Sequence, residues 1–104
     1  MAKTALLAKL TAKEGKRDEL LAVIGDIGMS NAAGEPGTEV YAAHKDQNDA
    51  DVVWFYELYS DQAALVAHGG SEQMKVFGRA MKDLMAGRPE LTFLDPAVAK
   101  GLEF

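Results

Sequence analysis

The sequence has no cysteine, only three prolines and one tryptophan, and no apolar run long enough to cross a bilayer. Without cysteine, disulfide frameworks, thiolate zinc sites, iron–sulfur clusters and thiol catalysis are all excluded. Positive charge is also scarce, because 11 lysines and arginines stand against 16 aspartates and glutamates, for a formal net charge of −5. Such a chain is poorly suited to bind the phosphate backbone of nucleic acids.

The N-terminal stretch, residues 1–16, has an apolar run that Lys3 and Lys9 interrupt, which is unlike a secretory signal peptide. We therefore expect a soluble, cytoplasmic protein with no membrane partner. Its 104 residues, 48% of them apolar, match the size and composition of one globular domain. We expect a single domain over 1–104, with a core at about 4–95 and a short C-terminal tail.

Four segments are typical of β-strands. Residues 4–11 form a short, mostly apolar run, and residues 38–45 and 52–59 flank a polar loop, as in a hairpin. Segment 52–59 is almost entirely β-branched or aromatic, which predicts a central strand covered on both faces. Segment 91–94 precedes Pro96 and is typical of an edge strand.

A helix of about 15 to 17 residues is predicted between the first two strands, because apolar residues recur at helical spacing from Lys16 and Gly34 follows their end. Gly25 and Gly28 each disfavour this helix by about 1 kcal/mol relative to alanine. Either a neighbouring element approaches closely at these glycines or the helix is locally loose.

Two further helices are predicted before the last strand. Ser60 is a suitable N-cap for a short helix that ends near His68. Ser71 caps a longer amphipathic helix, which is expected to stop at Gly87. Residues 35–37, Glu-Pro-Gly, predict a turn, since proline fixes one dihedral angle and glycine permits a positive φ.

The order of elements is β-α-β-β-α-β, which predicts a ferredoxin-like α+β fold with one antiparallel sheet and helices on one face. The other face is left uncovered by the chain, although the third strand is apolar on both sides. A second copy of the same sheet is the simplest cover. We therefore predict a homodimer whose sheet faces meet.

Few side chains are candidates for catalysis or ligand binding. His44 lies beside charged residues at a strand end and is interpreted as solvated, whereas His68 either caps its helix or serves as a general base or substrate partner. Glu57, the one acid within the aromatic strand, is a structural anchor or a site group, because a buried acid must be paired, hydrogen-bonded or protonated. Strand alternation places Glu57 and Tyr59 on one face and Trp54 on the other.

No cofactor is predicted from these residues. The two histidines are far apart in sequence, and no spacing to a carboxylate requires a metal ion. No glycine-rich loop follows a strand and opens a helix with the Lys and Ser or Thr of a phosphate site.

One ordered set of residues resembles a known family. Residues 35–37, Glu-Pro-Gly, are followed by Tyr41, then by the aromatic strand that leads into Glu57-Leu58-Tyr59-Ser60-Asp61, and then by Ala63-Ala64-Leu65 and His68. This pattern resembles the antibiotic biosynthesis monooxygenase (ABM) domain family over residues 4 to about 95. The resemblance implies a dimeric α+β barrel, formed by a homodimer through its sheet faces.

The resemblance also implies an activity, the oxidation of a small phenolic or quinol substrate by O2 without flavin, haem or metal. It implies that His68 and Glu57 are catalytic. Family members hold the substrate between sheet and helices, which suggests Tyr41, Trp54, Tyr59 and Gln73 as substrate-binding positions. In this hypothesis His68 takes a proton and Glu57 orients His68 or the substrate, because a deprotonated quinol is a far better electron donor to O2.

This chain departs from many relatives at Gln73, which stands where they have a second histidine. Glutamine forms hydrogen bonds but does not shuttle protons at neutral pH, so a mechanism with two histidine bases is not expected. Haem-degrading relatives use an axial histidine in the second helix, and residues 74–78 contain none. Two alternatives stay open, a non-oxidative enzyme such as an isomerase of a small signalling metabolite, and a non-catalytic ligand-binding or stress-response dimer.

Overall fold

The computed structural model describes residues 2–104. The strands form one antiparallel sheet in the order β2-β3-β1-β4, the ferredoxin-like α+β arrangement, which confirms the predicted fold class. Within the described residues, no helix is both long and apolar enough to cross a membrane. In chain order the elements are β1 (Thr4–Thr11), α1 (Arg17–Val23), a π-helical segment (Ile24–Gly28), α2 (Met29–Ala33), β2 (Thr38–Lys45), β3 (Val52–Tyr59), α3 (Gln62–Gly69), α4 (Glu72–Lys82) and β4 (Glu90–Leu94).

The strands β1, β2 and β3 begin and end where the sequence predicts. β3 lies between β2 and β1, as its aromatic and β-branched content predicts, and alternate residues of β1 and β3 face the helices. The core sits between this sheet face and the helices. Its buried members include Ala8, Leu10, Leu20, Ile24, Val53, Phe55, Phe77 and Met81.

The first helical region is interrupted by a π-helical segment, Ile24–Gly28, which contains both glycines. Gly28 is buried, and a Cβ atom added to it would lie 2.9 Å from the ring tip of Phe77. Gly25 has open space around it. The close approach expected from the sequence is therefore found at Gly28, and the local loosening appears as the wider π-turn.

The two glycines predict opposite effects of alanine on stability. Gly28→Ala overpacks the buried ring of Phe77, and we expect a net loss on the order of 1 kcal/mol in unfolding free energy after the gain in helix propensity. Gly25→Ala meets no neighbour and is expected to add about 0.5–1 kcal/mol. Urea denaturation of both variants checks this pair, and equal stabilities would contradict the packing described here.

Asp61 caps α3, whereas the sequence predicted Ser60. The Asp61 carboxylate accepts the N–H of Ala64 at 2.8 Å. Ser60 instead donates its backbone N–H to the carbonyl of Gly37 at 2.9 Å, and its hydroxyl approaches the same carbonyl at 3.3 Å. Because Ser60 is engaged with the turn that precedes β2, the cap moves one residue along the chain.

The Glu-Pro-Gly turn also differs from its prediction. Gly37 does not adopt a positive φ, which among residues 2–104 occurs at Gly15 and Gly101. A Cβ atom added to Gly37 would lie 2.6 Å from the Cβ of Ala64. Glycine is required here because the turn is packed tightly against α3.

Ser71 caps α4 as predicted, but the helix ends at Lys82, before Gly87. The chain then pairs with the end of β1, where the N–H of Ala86 donates to the carbonyl of Thr11 at 2.8 Å. This pairing draws residues 83–86 away from the helix axis before the Gly-Pro signal is reached.

Candidate functional site

A cavity of about 410 Å³ lies between the helix-facing side of the sheet and helices α3 and α4. Its wall is largely apolar and carries its acidic and imidazole groups at Glu57 and His68, with the Tyr41 ring nearby. Among the described residues that line it, none is lysine or arginine. The apolar lining includes Leu6, Phe55, Phe77, Met81, Leu91 and Phe93.

Strand register explains why the polar groups gather at one end. Glu57 is paired with Tyr41 on β2 and with Leu6 on β1, and Leu6 is in turn paired with Phe93 on β4. These four side chains therefore form one row across the sheet. Leu10 lies four residues along β1 from Leu6, about 13 Å away at strand spacing, so the cavity extends from a polar row to an apolar end.

Glu57 and Tyr59 form a buried pair, as strand alternation predicts. The hydroxyl of Tyr59 donates to Oε1 of Glu57, and both side chains are almost fully enclosed. Burial raises the pKa of Glu57, against the opposing effects of the Tyr59 hydrogen bond and the charge of His68. Burial also raises the pKa of Tyr59, and both the hydrogen bond to Glu57 and the negative charge of Glu57 raise it further. Tyr59 is therefore a donor that holds Glu57 in place.

His68 stands between two carboxylates. Its side chain is buried, with Nδ1 2.7 Å from Oε1 of Glu35 and Nε2 3.9 Å from Oε1 of Glu57. The ring centroid lies 5.5 Å from that of Tyr41 and 5.4 Å from that of Tyr59. The structure thus brings four of the chemistry-bearing residues named from the sequence, Tyr41, Glu57, Tyr59 and His68, into one cluster.

Tyr41 closes the polar end of the cavity on the β2 side. Its ring lies 4.8 Å from that of Phe55, centroid to centroid, in a tilted arrangement. Burial raises the pKa of its hydroxyl, and the negative charges of Glu57 and Glu35 raise it further. The Tyr41 hydroxyl is accordingly neutral and forms part of the cavity wall.

Glu35 is the site residue that sequence reasoning did not single out. It lies in the turn before β2, and its Oε1 accepts both from the hydroxyl of Thr38, at 2.8 Å, and from His68. An acid in a Pro-Gly turn is usually solvated, and 33 positions separate it from His68. Its side chain is nevertheless only 22% exposed. The one available signal was its place in the Glu-Pro-Gly motif that carries the family resemblance.

Trp54 and Gln73, also named from the sequence, lie away from this cluster. Trp54 is on the opposite face of the sheet, where its Nε1 donates to Oδ2 of Asp46 at 2.7 Å and Lys9 Nζ lies 5.7 Å from its ring centroid. Gln73 lines a second cavity instead. His44 is exposed, in agreement with its interpretation as a solvated residue.

The raised pKa of Glu57 predicts a pH-dependent stability. The folded protein keeps a proton on Glu57 at pH values where the unfolded chain has lost it, so the unfolding free energy falls as pH rises from about 4.5 through the folded pKa. Glu57→Gln removes this slope. Relative to the native chain, the variant is expected to gain about 1.4 kcal/mol for each pH unit within that window.

Urea unfolding between pH 4 and 8 measures this difference, and a difference that does not vary with pH would contradict the raised pKa.

The pKa of Asp46 is lowered to about 2, so Asp46 affects the stability of the fold in a separate, more acidic pH range. The ionised Asp46 contributes to the unfolding free energy above its unfolded pKa of 3.8, and this contribution is lost as the pH falls toward 2. The hydrogen bond from Trp54 is its main cause.

Comparison with known proteins places the chain in one family. A model of the antibiotic biosynthesis monooxygenase family matches residues 4–80. A proposed antibiotic biosynthesis monooxygenase from Caulobacter crescentus CB15 is 32% identical, with a TM-score of 0.87 over 93% of this chain and 92% of that one.

More distant structures share the fold. A proposed antibiotic biosynthesis monooxygenase from Chloroflexus aurantiacus J-10-fl is 22% identical, with a TM-score of 0.82 over 98% of this chain and 100% of that one. A Nitrosomonas europaea protein of unknown function is also 22% identical, with a TM-score of 0.84 over 100% and 98% of the two chains. Among curated proteins, none matches. Because the family model covers residues 4–80 and the Caulobacter crescentus structure is 32% identical over 93% of this chain, the chain belongs to the antibiotic biosynthesis monooxygenase family.

Proposed function

We propose that the protein is a cofactor-independent monooxygenase that oxidises a small phenolic or quinol substrate with O2. The observation that carries this proposal is a buried imidazole at the polar end of an otherwise apolar cavity. Nδ1 of His68 is held by one carboxylate, and Nε2 lies 3.9 Å from another, Glu57. A substrate hydroxyl placed between Nε2 and Glu57 is within reach of both groups.

The cavity also favours an uncharged aromatic substrate. Its wall offers aliphatic and aromatic surface and, among the described lining residues, no cation to pair with a phosphate or carboxylate. Its volume of about 410 Å³ lies in the range of small-molecule sites. Tyr41, next to the imidazole, supports a flat ring that carries a hydroxyl at one end.

In the proposed reaction, the substrate O–H bond breaks, the proton moves to Nε2 of His68, and the electron pair stays on the substrate. The resulting anion gives electrons to O2 far more readily than the neutral molecule does. One oxygen atom bonds to a ring carbon and the other leaves as water. The substrate loses two hydrogen atoms and gains one oxygen atom, so O2 takes up four electrons in all. Glu57, held in place by the Tyr59 hydroxyl, orients the substrate hydroxyl by a hydrogen bond.

We further propose that the protein acts in the cytoplasm as a homodimer of single-domain chains joined through their sheet faces. The outer face of the sheet supports this, because Leu7, Val40, Trp54 and Tyr56 are only half-buried there. Light scattering at micromolar concentration should give the mass of two chains. A stable monomer under those conditions would contradict the dimer.

The activity is tested by O2 uptake of metal-stripped protein with a panel of naphthohydroquinones, corrected for autoxidation. Uptake above the autoxidation rate that saturates with substrate is the expected result. No uptake across the panel would overturn the proposal. Ligand-dependent thermal stabilisation without turnover would then favour a binding protein, and conversion of a substrate without O2 would favour an isomerase.

A further inference from the structure

His68 separates two cavities. One is the substrate cavity, and the other, of about 480 Å³, lies beyond the imidazole and is bordered by the turn before β2 and the start of α4. Glu35 lines the second cavity and is not among the residues that line the first. Glu35 therefore contacts His68 from the side of the second cavity, and it does not contact a substrate bound in the substrate cavity.

The contact between Glu35 and His68 specifies which ring nitrogen carries hydrogen. A carboxylate only accepts hydrogen bonds, so at 2.7 Å from Oε1 of Glu35 the Nδ1 atom is the donor. In a neutral imidazole the other nitrogen, Nε2, then has a free lone pair. Because His68 lines both cavities and Nε2 lies on the Glu57 side, that lone pair faces the substrate cavity.

Glu35 is itself held in place from several directions. The hydroxyl of Thr38 donates to the same Oε1 at 2.8 Å. The Ser60 N–H, in the connection between β3 and α3, donates to the Gly37 carbonyl, and Gly37 packs tightly on Ala64 of α3. A carboxylate with two donors on a fixed turn is a pre-organised support for the imidazole.

We propose that Glu35 is the positioning residue of this site. It fixes His68 as the Nδ1–H tautomer, aims Nε2 at the substrate hydroxyl, and stabilises the imidazolium that forms when His68 takes the proton. The catalytic part of this inference rests on the proposed function, since it assigns His68 as the base. The tautomer part does not, and it is measured without substrate.

The tautomer is determined from two-bond ¹H–¹⁵N correlation spectra of uniformly ¹⁵N-labelled protein at a pH where His68 is neutral. The native chain should show a protonated Nδ1 and an unprotonated Nε2 at His68. Glu35→Ala should lose this preference, because no acceptor remains for Nδ1–H. Glu35→Gln should retain it through the amide oxygen.

Kinetics separate positioning from a structural role. Glu35→Ala should lower kcat by at least about tenfold. The loss should not exceed the loss caused by removing the base itself, which is roughly 10²- to 10⁴-fold. Its KM should change little, since Glu35 does not line the substrate cavity. Glu35→Gln should keep the tautomer but lower kcat, because the charge that stabilises the imidazolium is gone.

A matched control is Glu39→Gln. Glu39 is an exposed acid four positions away, paired with Lys3 at 2.7 Å, and its loss should leave both the spectrum and kcat unchanged. The inference is overturned if native His68 carries its hydrogen on Nε2, or if folded Glu35→Gln and Glu35→Ala both retain native kcat. If the native tautomer is as expected but no panel substrate consumes O2, the proposed function fails and the positioning of His68 by Glu35 stands.

Discussion

His68→Ala is expected to lower the rate of O2 uptake by roughly 10²- to 10⁴-fold, the usual contribution of a positioned general base. Its imidazole is the one group in the cluster whose free nitrogen faces the substrate cavity, between Glu57 and the Tyr41 ring. Without the imidazole, the substrate hydroxyl loses the base that takes its proton, and the anion that reacts with O2 forms rarely. The measurement is kcat/KM for the best naphthohydroquinone, after circular dichroism has shown that the variant is folded.

The chain supplies its own control in His44, the other histidine. His44 lies exposed at the end of β2, so His44→Ala should retain the native rate. Added imidazole should partly restore His68→Ala, because removing the side chain opens space between two cavities. A folded His68→Ala protein with native kcat/KM would remove His68 from the reaction.

Phe77→Ala is expected to cause the largest loss of stability, about 3–5 kcal/mol. The Phe77 ring is 1% exposed, belongs to the main core cluster, and lies against Gly28 of the π-helical segment. Its removal leaves a void next to the substrate cavity, which Phe77 also lines. Typical domains have about 5–15 kcal/mol of stability in total, so this variant should be close to unfolding at room temperature in mild urea.

Val76 is the matched control for Phe77. It is the preceding residue of α4 and is 48% exposed, so Val76→Ala should change the unfolding free energy by less than about 0.5 kcal/mol. The single tryptophan, Trp54, lies on the other face of the sheet and provides a fluorescence signal for both unfolding curves. A loss below about 1 kcal/mol in Phe77→Ala would contradict the packing of this core.

The strands were predictable because their signals are local. Apolar runs, β-branched and aromatic content and a polar loop set the limits of β1, β2 and β3 from sequence alone. The π-helical segment could not be predicted as such, since a single wider turn leaves no distinct mark on the helical spacing of apolar residues. The cap of α3 was misplaced because Ser60 is engaged by a turn more than 20 residues earlier, a contact that no local pattern records.

The site was predictable in part for the same reason. Alternation in β3 paired Glu57 with Tyr59, and it also placed Trp54 on the opposite face, which is where the structure has it. Glu35 escaped notice because its partner, His68, is 33 positions away and is brought close only by the docking of α3 on the turn. Long-range pairing of this kind follows from tertiary packing and not from periodicity.

The most direct test of the proposed oxygenase chemistry uses ¹⁸O₂ with metal-stripped protein and the best naphthohydroquinone of the panel. Mass spectrometry of the product at early times, before exchange with water, reports how many oxygen atoms come from O2. The proposed reaction predicts one ¹⁸O in the product and the other in water, at a rate that His68→Ala loses. A product without ¹⁸O, formed together with hydrogen peroxide, would show an oxidase in place of a monooxygenase and contradict the proposed function.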